Sequence, residues 1–432
     1  MYRVVPTCGK RLDEYRPDVG EAAVETVRTL AKPLRGARVL MLSFSPFGAR
    51  VPELLRALVP LLRDLGLAAE WQVVRSAPEF GRATRLLYQG LSGRPVDWRP
   101  DLAEAWRRFC GFNAASFDRE YDAVVVHDPQ VAGLLPALTA RGRAARGGRW
   151  VWHCHLDLRG AQPDVWQTVR ATLDGYEALV FADASFVPPD VRSAPVAVIP
   201  PAIDPTNPSN RELPAEAVRA LLAGHGLDPG RPLVVQAGHL APAFDPLGAI
   251  EAYRRAKADR RDLQLLLVGP VPEDTAVDWS RFEQIARHAA GDPDVRVLVA
   301  RGVAGQRLMN AAQRAARVVL QRAVPAGFAP QVWEAQWKGR AVVAGPAGSL
   351  PAQVAHGQTG LLAGDEDAFV RAILALLADP ARAARLGAAG REAVRRRHLI
   401  PHWLADELRL LGGILAGASA RSMGDAAPTL VR

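Results

Sequence analysis

The sequence has few cysteines and no long apolar run. Its 432 residues include three cysteines, Cys8, Cys110 and Cys154, which lie far apart and form no CxxC pair. This spacing argues against a disulfide framework or a structural zinc site and fits a reducing cytosol. We find neither a run of 18 or more apolar residues nor an N-terminal basic-then-apolar segment, so we expect no membrane span and no secretory signal. The sequence predicts a cytoplasmic protein.

Lysine is also scarce. Of the 54 basic residues only four are lysines, namely Lys10, Lys32, Lys257 and Lys338. A codon bias toward GC produces such an arginine surplus without any nucleic-acid partner, although the net charge of +9 would favour an anionic substrate. The arginine-rich runs at 140–150 and 391–398 come with no helix-turn-helix, zinc finger or aromatic-plus-basic RNA motif, so we expect no nucleic-acid partner. That alternative rests on the arginines alone, and salt-dependent oligonucleotide binding would reveal it.

Short apolar runs alternate with helical stretches along the chain. The runs that we predict to be strands lie at 37–44, 121–129, 148–158, 178–184, 196–204, 232–240, 263–270, 295–300, 316–323 and 340–348. The stretch 51–66 has leucines at helical spacing, and Pro60 should kink that helix or reshape its turn. Apolar strands separated by helices indicate parallel sheets covered on both faces. The sequence therefore predicts an α/β fold.

The polar stretch 204–213 interrupts this alternation and resembles a linker between two α/β units of about 200 residues each. We assign 1–205 to an N-terminal domain and 212–390 to a C-terminal domain. Helices at 391–416 are expected to pack back on the first domain, and 417–432 is expected to be a loose tail. Ligands of such sheets bind beyond the carboxyl ends of the strands, so two facing units would place a site in the cleft between them.

Several motifs resemble those of one enzyme family. They are "VPLLRDLGLAAEWQVV" (59–74), "HDPQ" (127–130), "HCHLDL" (153–158), "PPAIDPTNPSNREL" (200–213), "FDPLGAIEAYRRAK" (244–257) and "EAQWKGRAVVAGPAG" (334–348). In this order they resemble the retaining GT-B glycosyltransferases of family 4, and within it the trehalose glycosyltransferring synthases. The resemblance implies two Rossmann-like, doubly wound parallel-sheet domains that face each other across a cleft. It is evidence of fold and ancestry, whereas activity depends on particular residues.

The resemblance implies transfer of a hexose, glucose in the first place, from a nucleotide sugar of the UDP- or ADP-glucose type to a small sugar acceptor. It implies no cofactor and no metal. On the sugar side it points to His155 and Asp157 as catalytic residues and to His127, Asp128 and Gln130 as acceptor-side residues. The alternatives are a structural histidine at the end of a strand and a turn fixed by Asp and Pro. A homodimer is compatible with the sequence.

On the donor side the resemblance points to Glu334 as the ribose-binding glutamate of a paired-glutamate motif. The alternative for Glu334 is a solvated helix residue. The further residues assigned to the donor are Gly48, Arg50, His239, Arg322, Gly327, Phe328 and Gly348. Gly348 belongs to the glycine-rich turn 345–351, for which a plain loop is the alternative.

Other positions depart from the family. His239 and Phe244 stand where the family has an Arg and a Lys that neutralise the diphosphate, and Ala326 replaces the first glutamate of the pair. Ala329 replaces a glycine, and Pro330 lacks an N–H that would point at an anion. Gly48-Ala49-Arg50 replaces a run of glycines. Arg50, Arg301 and Arg322 are candidate replacements for the lost cations. Two hypotheses follow, a transferase with a rebuilt donor site and a pseudo-glycosyltransferase that binds a sugar, nucleotide or protein without transfer.

Overall fold

The computed structural model describes residues 3–47, 51–143, 148–192, 194–271, 276–323 and 327–417. The strands are β1 Arg3–Val4, β2 Arg38–Ser43, β3 Ala68–Val73, β4 Ala123–His127, β5 Arg149–Cys154, β6 Ala178–Phe181, β7 Val196–Val198, β8 Leu233–Ala237, β9 Gln264–Gly269, β10 Val295–Val299, β11 Val318–Gln321, β12 Val342–Ala344 and β13 Leu361–Leu362. The α-helices are α1 Arg16–Val19, α2 Glu21–Ala31, α3 Val51–Asp64, α4 Pro78–Leu91, α5 Pro100–Ala115, α6 Leu134–Thr139, α7 Pro163–Arg170, α8 Ala215–Ala223, α9 Pro246–Asp259, α10 Ala276–Ala289, α11 Gly302–Ala315, α12 Pro330–Trp337, α13 Leu350–Gln353, α14 Glu366–Ala378, α15 Pro380–Arg397 and α16 Ile400–Leu415. None of the helices in these ranges is long and apolar enough to cross a membrane.

The chain divides into two compact units. The first contains the described residues up to Ala202 and those from Leu399 onward, and the second is Ile203–His398. The first unit has a seven-stranded sheet in the order β1-β3-β2-β4-β5-β6-β7, in which β1 is antiparallel and the other strands are parallel. Its order reverses at β2, which lies between β3 and β4. The carboxyl ends of β2 and β4 therefore form the switch point at which such sheets bind ligands.

The second unit has a six-stranded parallel sheet in the order β10-β9-β8-β11-β12-β13. Leu265 and Leu267 belong to one apolar cluster, with α9, α10 and α14, whereas Leu266 and Val268 belong to another, with α8, α11 and α12. Successive strand side chains point to opposite faces, so a continuous apolar strand is buried under helices on both sides. The prediction of two doubly wound α/β units is confirmed. The switch point here lies at the carboxyl ends of β8 and β11.

All the predicted strands are present, but apolar runs in the sequence do not indicate β1, β3 and β13. In β3 the polar residues Glu70 and Gln72 alternate with apolar ones, and β1 and β13 are only two residues long. Pro60 lies inside α3, which continues from Val51 to Asp64.

The C-terminal boundary differs from the expectation. Residue 391 lies inside α15, which belongs to the second unit, where it packs on α12 and α14. The chain leaves that unit at His398, and only α16 packs on α2 and α3 of the first unit. The apolar residues of α16 explain this, because Trp403, Leu404, Leu408 and Leu411 are buried. The expected tail lies outside the described residues from 418 onward.

The polar stretch 204–213 is not a loose linker. Asp204, Ser209 and Asn210 are buried. The Asn310 amide of α11 donates to the main-chain oxygens of Pro208 and Arg211, at 2.9 and 2.7 Å. The polarity that suggested a linker serves an internal hydrogen-bond network, so this stretch is a fixed part of the second unit.

Candidate functional site

Three histidines meet at the carboxyl ends of β4 and β5. His127 ends β4 and is paired in register with His153 of β5, and His155 follows β5 directly after Cys154. Residues two apart on an extended segment lie on the same face, which brings His153 and His155 to the side of His127. The rings of His153 and His155 stack with centroids 4.2 Å apart, and Nδ1 of His127 lies 3.0 Å from Nε2 of His155. Two predicted site residues are thus in contact, together with a third that the sequence analysis did not single out.

The buried members of this histidine cluster are uncharged near neutral pH. Burial lowers the pKa of His127 and of His153 well below the ordinary value of 6.5, and repulsion from His155 lowers both further. His155 is only half-buried and is the member that solvent can reach. A neutral imidazole carries one N–H donor and one acceptor nitrogen, so the cluster can exchange hydrogen bonds with a sugar hydroxyl through His155.

The turn after β4 is tightly fixed. Asp128 has φ 78°, a conformation that non-glycine residues rarely adopt, and its Oδ2 accepts a hydrogen bond from the Phe44 N–H at 3.2 Å. Enclosure of the carboxyl raises the pKa of Asp128 to about 6. Gln130 is buried, and its main-chain oxygen accepts a hydrogen bond from Nε1 of Trp106 at 2.8 Å. The turn interpretation of "HDPQ" therefore has direct support, and the acceptor role of these residues stays a prediction.

Asp157 forms a local ion pair. Its Oδ1 accepts hydrogen bonds from the Arg159 N–H and Nε at 3.1 and 2.9 Å, and its Oδ2 accepts from Nη2 at 2.6 Å. The Arg159 guanidinium also lies over the ring of Phe186, 5.3 Å from its centroid. These contacts give Asp157 a structural role in closing the turn after β5. Its catalytic role stays a prediction.

Several predicted residues cannot be placed. Gly48, Arg50 and Ala326 lie outside the described residues, so the predictions that concern them are unchanged. Arg301, a candidate replacement cation, precedes α11, and its guanidinium lies 5.4 Å from the centroid of the Trp279 ring.

The turn after β8 carries His239 and Phe244, whose ring centroids are 5.4 Å apart. The backbones of β8 and β9 approach closely here, since a Cβ on Gly269 would lie 1.6 Å from the Gly238 oxygen. Nε2 of Gln236 donates a hydrogen bond to the main-chain oxygen of Phe244 at 3.0 Å, which ties the turn to β8. The two positions at which the resemblance implies Arg and Lys thus hold an imidazole and a phenyl ring in mutual contact.

Arg322, which follows β11, is engaged by carboxylates. Its Nε lies 2.9 Å from Oδ2 of Asp245, and its Nη2 lies 2.9 Å from Oε2 of Glu366. The guanidinium lies 4.1 Å from the centroid of the Phe369 ring, and its Nη1 is enclosed without a hydrogen-bond partner among the described residues. Arg322 thus ties the beginning of α9 to the beginning of α14. These contacts count against its assignment to the donor phosphates.

The loop before α12 is attached to the glycine-rich turn. The Ala329 N–H donates to Oε1 of Gln353 at 2.9 Å, and Nε2 of Gln353 donates back to the Ala329 oxygen at 2.8 Å. Oγ of Ser349 donates to the Gly327 oxygen at 2.5 Å. Gly327 and Gly348 have φ 70° and 65°, left-handed conformations that favour glycine. Both predicted glycines are therefore needed by the backbone of a well-defined loop.

Phe328 is buried in an aromatic stack. Its ring centroid lies 5.1 Å from that of Trp333, which in turn stacks on His398 at 4.1 Å. These contacts pack α12 within its own unit. A donor contact by Phe328 stays a prediction.

Glu334 lies in the buried centre of α12, beside Lys338 one turn later. Nζ of Lys338 donates to Oδ1 of Asn210, Oε1 of Gln313 and the main-chain oxygen of Glu334, at 2.9, 2.9 and 3.1 Å. Burial raises the pKa of Glu334 and lowers that of Lys338 to about 7, while the charge of each residue opposes the shift of the other. Glu334 is 7% exposed, so its interpretation as a solvated helix residue is wrong.

The sequence analysis missed His153, Gln353, Asn210 and Lys338. An alternating His-x-His at a strand end was visible and indicates two rings on one face. Lys338 was visible as one of only four lysines, four residues after Glu334. No sequence signal indicated Gln353 or Asn210, because their partners come from distant segments.

Comparison with known proteins divides the chain in a similar way. Residues 41–188 match the family model for the N-terminal domain of trehalose synthase. Residues 219–393 match the model for group 1 glycosyl transferases.

Full-length relatives and a solved structure agree with these matches. The trehalose synthase of Rubrobacter xylanophilus is 34% identical over 411 residues, which cover 94% of this chain and 97% of that protein. The trehalose synthase of Pyrococcus horikoshii is 32% identical over 420 residues, covering 96% and 100%. The fold is also shared with a structure described as trehalose-6-phosphate from E. coli bound with UDP-2-fluoro glucose, with a TM-score of 0.68, 14% identity and coverage of 87% and 99%.

Proposed function

This chain belongs to the trehalose synthase family of GT-B glycosyltransferases, and on that premise we propose that it moves a hexose from a nucleotide sugar to a small sugar acceptor with retention of anomeric configuration. The names of the Rubrobacter and Pyrococcus relatives favour trehalose as the product, and hence glucose as both the transferred sugar and the acceptor. The UDP-2-fluoro glucose of the E. coli protein makes UDP-glucose the first donor to test, with ADP-glucose next.

The buried arrangement around Glu334 carries the proposal. A carboxylate and a lysine enclosed on one helix are costly to bury, and the lysine, Lys338, donates hydrogen bonds to the side-chain oxygens of Asn210 and Gln313. Perturbed ionisable pairs of this kind cluster at functional sites. The loop before this helix is fixed by Gln353, so the helix that carries Glu334 begins at a defined position.

The reaction defines what the remaining residues must supply. The bond between the anomeric carbon and the diphosphate breaks through an oxocarbenium-like state, and the acceptor hydroxyl attacks from the same face. In our proposal Glu334 binds the ribose hydroxyls, the loop at Gly327 and the turn at Gly348 line the donor, and His155 hydrogen-bonds to the transferred sugar. His127 and Gln130 orient the acceptor.

The diphosphate requires groups that stabilise its negative charge. Loss of one preorganised donor to developing charge costs roughly 3–4 kcal/mol, or about 10²–10³ in rate. His239 supplies a positive charge only when protonated, and a bound diphosphate favours that form.

A second candidate function is binding without transfer. The contact of His239 with Phe244 and the ion pairs of Arg322 favour it, because neither arrangement directs a permanent cation at a donor. The two candidates share ligand binding and differ in turnover.

The deciding experiment is a transfer assay with UDP-, ADP- and GDP-glucose, and glucose as acceptor. Proton NMR of the product identifies the linkage and the anomeric configuration. We expect an α,α-linked disaccharide from one donor, loss of product in Glu334→Gln, and normal product in Glu216→Gln, which changes an exposed helix glutamate of the same unit. Nucleotide-sugar binding without product would favour the second candidate, and an inverted product would contradict a retaining mechanism.

A further inference from the structure

The second unit has a cavity at the amino edge of its sheet. The cavity has a volume of about 430 Å³, and among the residues that line it Pro232, Arg317 and Ala341 directly precede β8, β11 and β12. His239 and Arg322 follow β8 and β11 at the opposite edge. β8 has five residues that rise about 3.3 Å each, so roughly 15 Å of strand separates the two edges. The cavity is therefore separate from the candidate donor site of this unit.

The lining of this cavity carries an excess of positive charge. Its charged residues are Arg260, Arg317, Arg340 and one acid, Asp262. Arg260 and Asp262 neutralise each other, since Nε of Arg260 lies 3.2 Å from Oδ1 of Asp262. Arg317 is exposed, and its guanidinium has no hydrogen-bond or ion-pair partner among the described residues. Two guanidinium groups, those of Arg317 and Arg340, thus lack a counter-charge in the lining.

Arg340 gives independent evidence for a ligand. Its Nε is enclosed without a hydrogen-bond partner in the part of the chain that the structure describes, and its Nη1 lies 3.5 Å from the main-chain oxygen of Ala316, a long hydrogen bond. Burial lowers the pKa of Arg340, and repulsion from Arg314 and Arg317 lowers it further. Glu212 attracts Arg340 but already pairs with Arg314 at 2.7 Å. Buried polar atoms are normally paired and buried cations normally have a counter-charge, so this arrangement requires an explanation that an anion would supply.

We propose that Arg317 and Arg340 bind the phosphate group of a small phosphate ester in this cavity. A guanidinium presents its N–H donors in a planar fork that matches the oxygens of a phosphate. A bound dianion would neutralise both charges, and rotation of the Arg340 side chain would give its Nε an acceptor. Leu376, Leu377 and Ala383 also line the cavity and can contact the organic part of the ester. A volume of this size is typical of sites for small molecules.

The turn that carries Arg340 is fixed before any ligand binds. Gly339 has φ 69°, a left-handed conformation that favours glycine. A Cβ on Gly387 of α15 would lie 2.1 Å from the Gly339 oxygen, so α15 packs directly on this turn. The Arg340 N–H donates a hydrogen bond to the Ala335 oxygen at 3.0 Å. A binding residue on such a turn loses little backbone freedom when a ligand binds. The proposal does not depend on whether the chain transfers a sugar.

The test is calorimetric titration of the full-length protein with glycerol 3-phosphate and with inorganic phosphate at about pH 8, where both are dianions. Glycerol 3-phosphate has neither a base nor a sugar ring, so it does not mimic the substrates of the proposed transfer. We expect one molecule per chain, bound more tightly than inorganic phosphate because its carbon chain contacts apolar side chains. Equal affinities would still support a phosphate site and would identify free phosphate as its ligand. Arg317→Gln and Arg340→Gln should each weaken binding about tenfold or more.

Arg219→Gln is the matched control, because Arg219 is an exposed arginine of α8 that does not line the cavity. His239→Ala changes the turn at the opposite edge and reveals phosphate binding at the donor site. Both variants should bind glycerol 3-phosphate as the unaltered protein does. Absence of binding, binding that survives both Arg317→Gln and Arg340→Gln, or equal weakening in Arg219→Gln would overturn the proposal, and so would loss of binding in His239→Ala. If Arg340→Gln does not fold, Arg317→Gln at its exposed position alone decides.

Discussion

The prediction that is easiest to refute concerns a buried glutamic acid in α16. Glu407 is fully buried, and neither carboxyl oxygen has a hydrogen-bond partner among the described residues. Burial, with a smaller contribution from the charge of Asp406, raises the pKa of Glu407 from 4.5 to about 8. The perturbation that we consider is Glu407→Leu, which keeps the approximate volume and removes the buried polar atoms.

Proton linkage gives the sign and the size of the pH dependence of the free energy of unfolding. Between pH 4.5 and about 8 the unfolded chain releases this proton whereas the folded chain keeps it, so the free energy of unfolding falls as pH rises. The stabilising effect of the raised pKa is complete below pH 4.5 and is lost by about pH 8. At 1.36 kcal/mol per pKa unit the loss is roughly 5 kcal/mol, an upper value because relaxation and water entry reduce it.

Hydrogen exchange of the α16 amides is the suitable assay, because it reports the opening of this helix in a chain of two units. Glu407→Leu should protect these amides more than the unaltered protein does, and the difference should be several kcal/mol larger at pH 8 than near pH 4.5. Glu216→Leu in α8, an exposed position, serves as the control and should show no such pH dependence. If the difference between Glu407→Leu and the unaltered protein is the same at both pH values, Glu407 titrates normally and the reasoning is refuted.

Three further predictions concern residues of the two units. Glu334→Ala should weaken nucleotide binding at least tenfold in a calorimetric titration. Unchanged affinity would show that Glu334 does not bind the nucleotide. His155→Ala should lower kcat more than it lowers donor affinity, because His155 is expected to contact the transferred sugar; the opposite pattern would assign it to binding alone. Lys338→Met should lower the free energy of unfolding of the second unit by about 3 kcal/mol, since Asn210, Gln313 and Glu334 lose a buried partner. Denaturant unfolding measures this, and a change below 1 kcal/mol would contradict it.

Most of the fold could be predicted from the sequence because most of its strands are continuous apolar runs. Val124, Val125 and Val126 are buried on both faces of a parallel sheet, and this requirement leaves a strong pattern in the sequence. β3 was not predicted because Glu70 and Gln72 interrupt its apolar residues. Long-range packing, which sequence spacing does not report, decided the position of the C-terminal boundary at His398.

Two of the candidate residues lie where the backbone itself requires glycine. Gly327 and Gly348 were identified from motifs, and their left-handed φ values explain why glycine is needed. Contacts between distant segments were not predictable. Arg322 was a candidate replacement cation because of its strand-end position, and the carboxylates that engage it come from 77 and 44 residues away. Lys338 likewise meets Asn210 across 128 residues of sequence.

The central claim is that this chain still binds a nucleotide sugar although His239 and Phe244 replace the expected cations. The most direct measurement is calorimetric titration of the purified protein with UDP, ADP, GDP and their glucose conjugates. We expect tight binding of one nucleotide sugar, weakened in Glu334→Ala and unchanged in Glu216→Gln. Absence of binding to every nucleotide and every conjugate would contradict it.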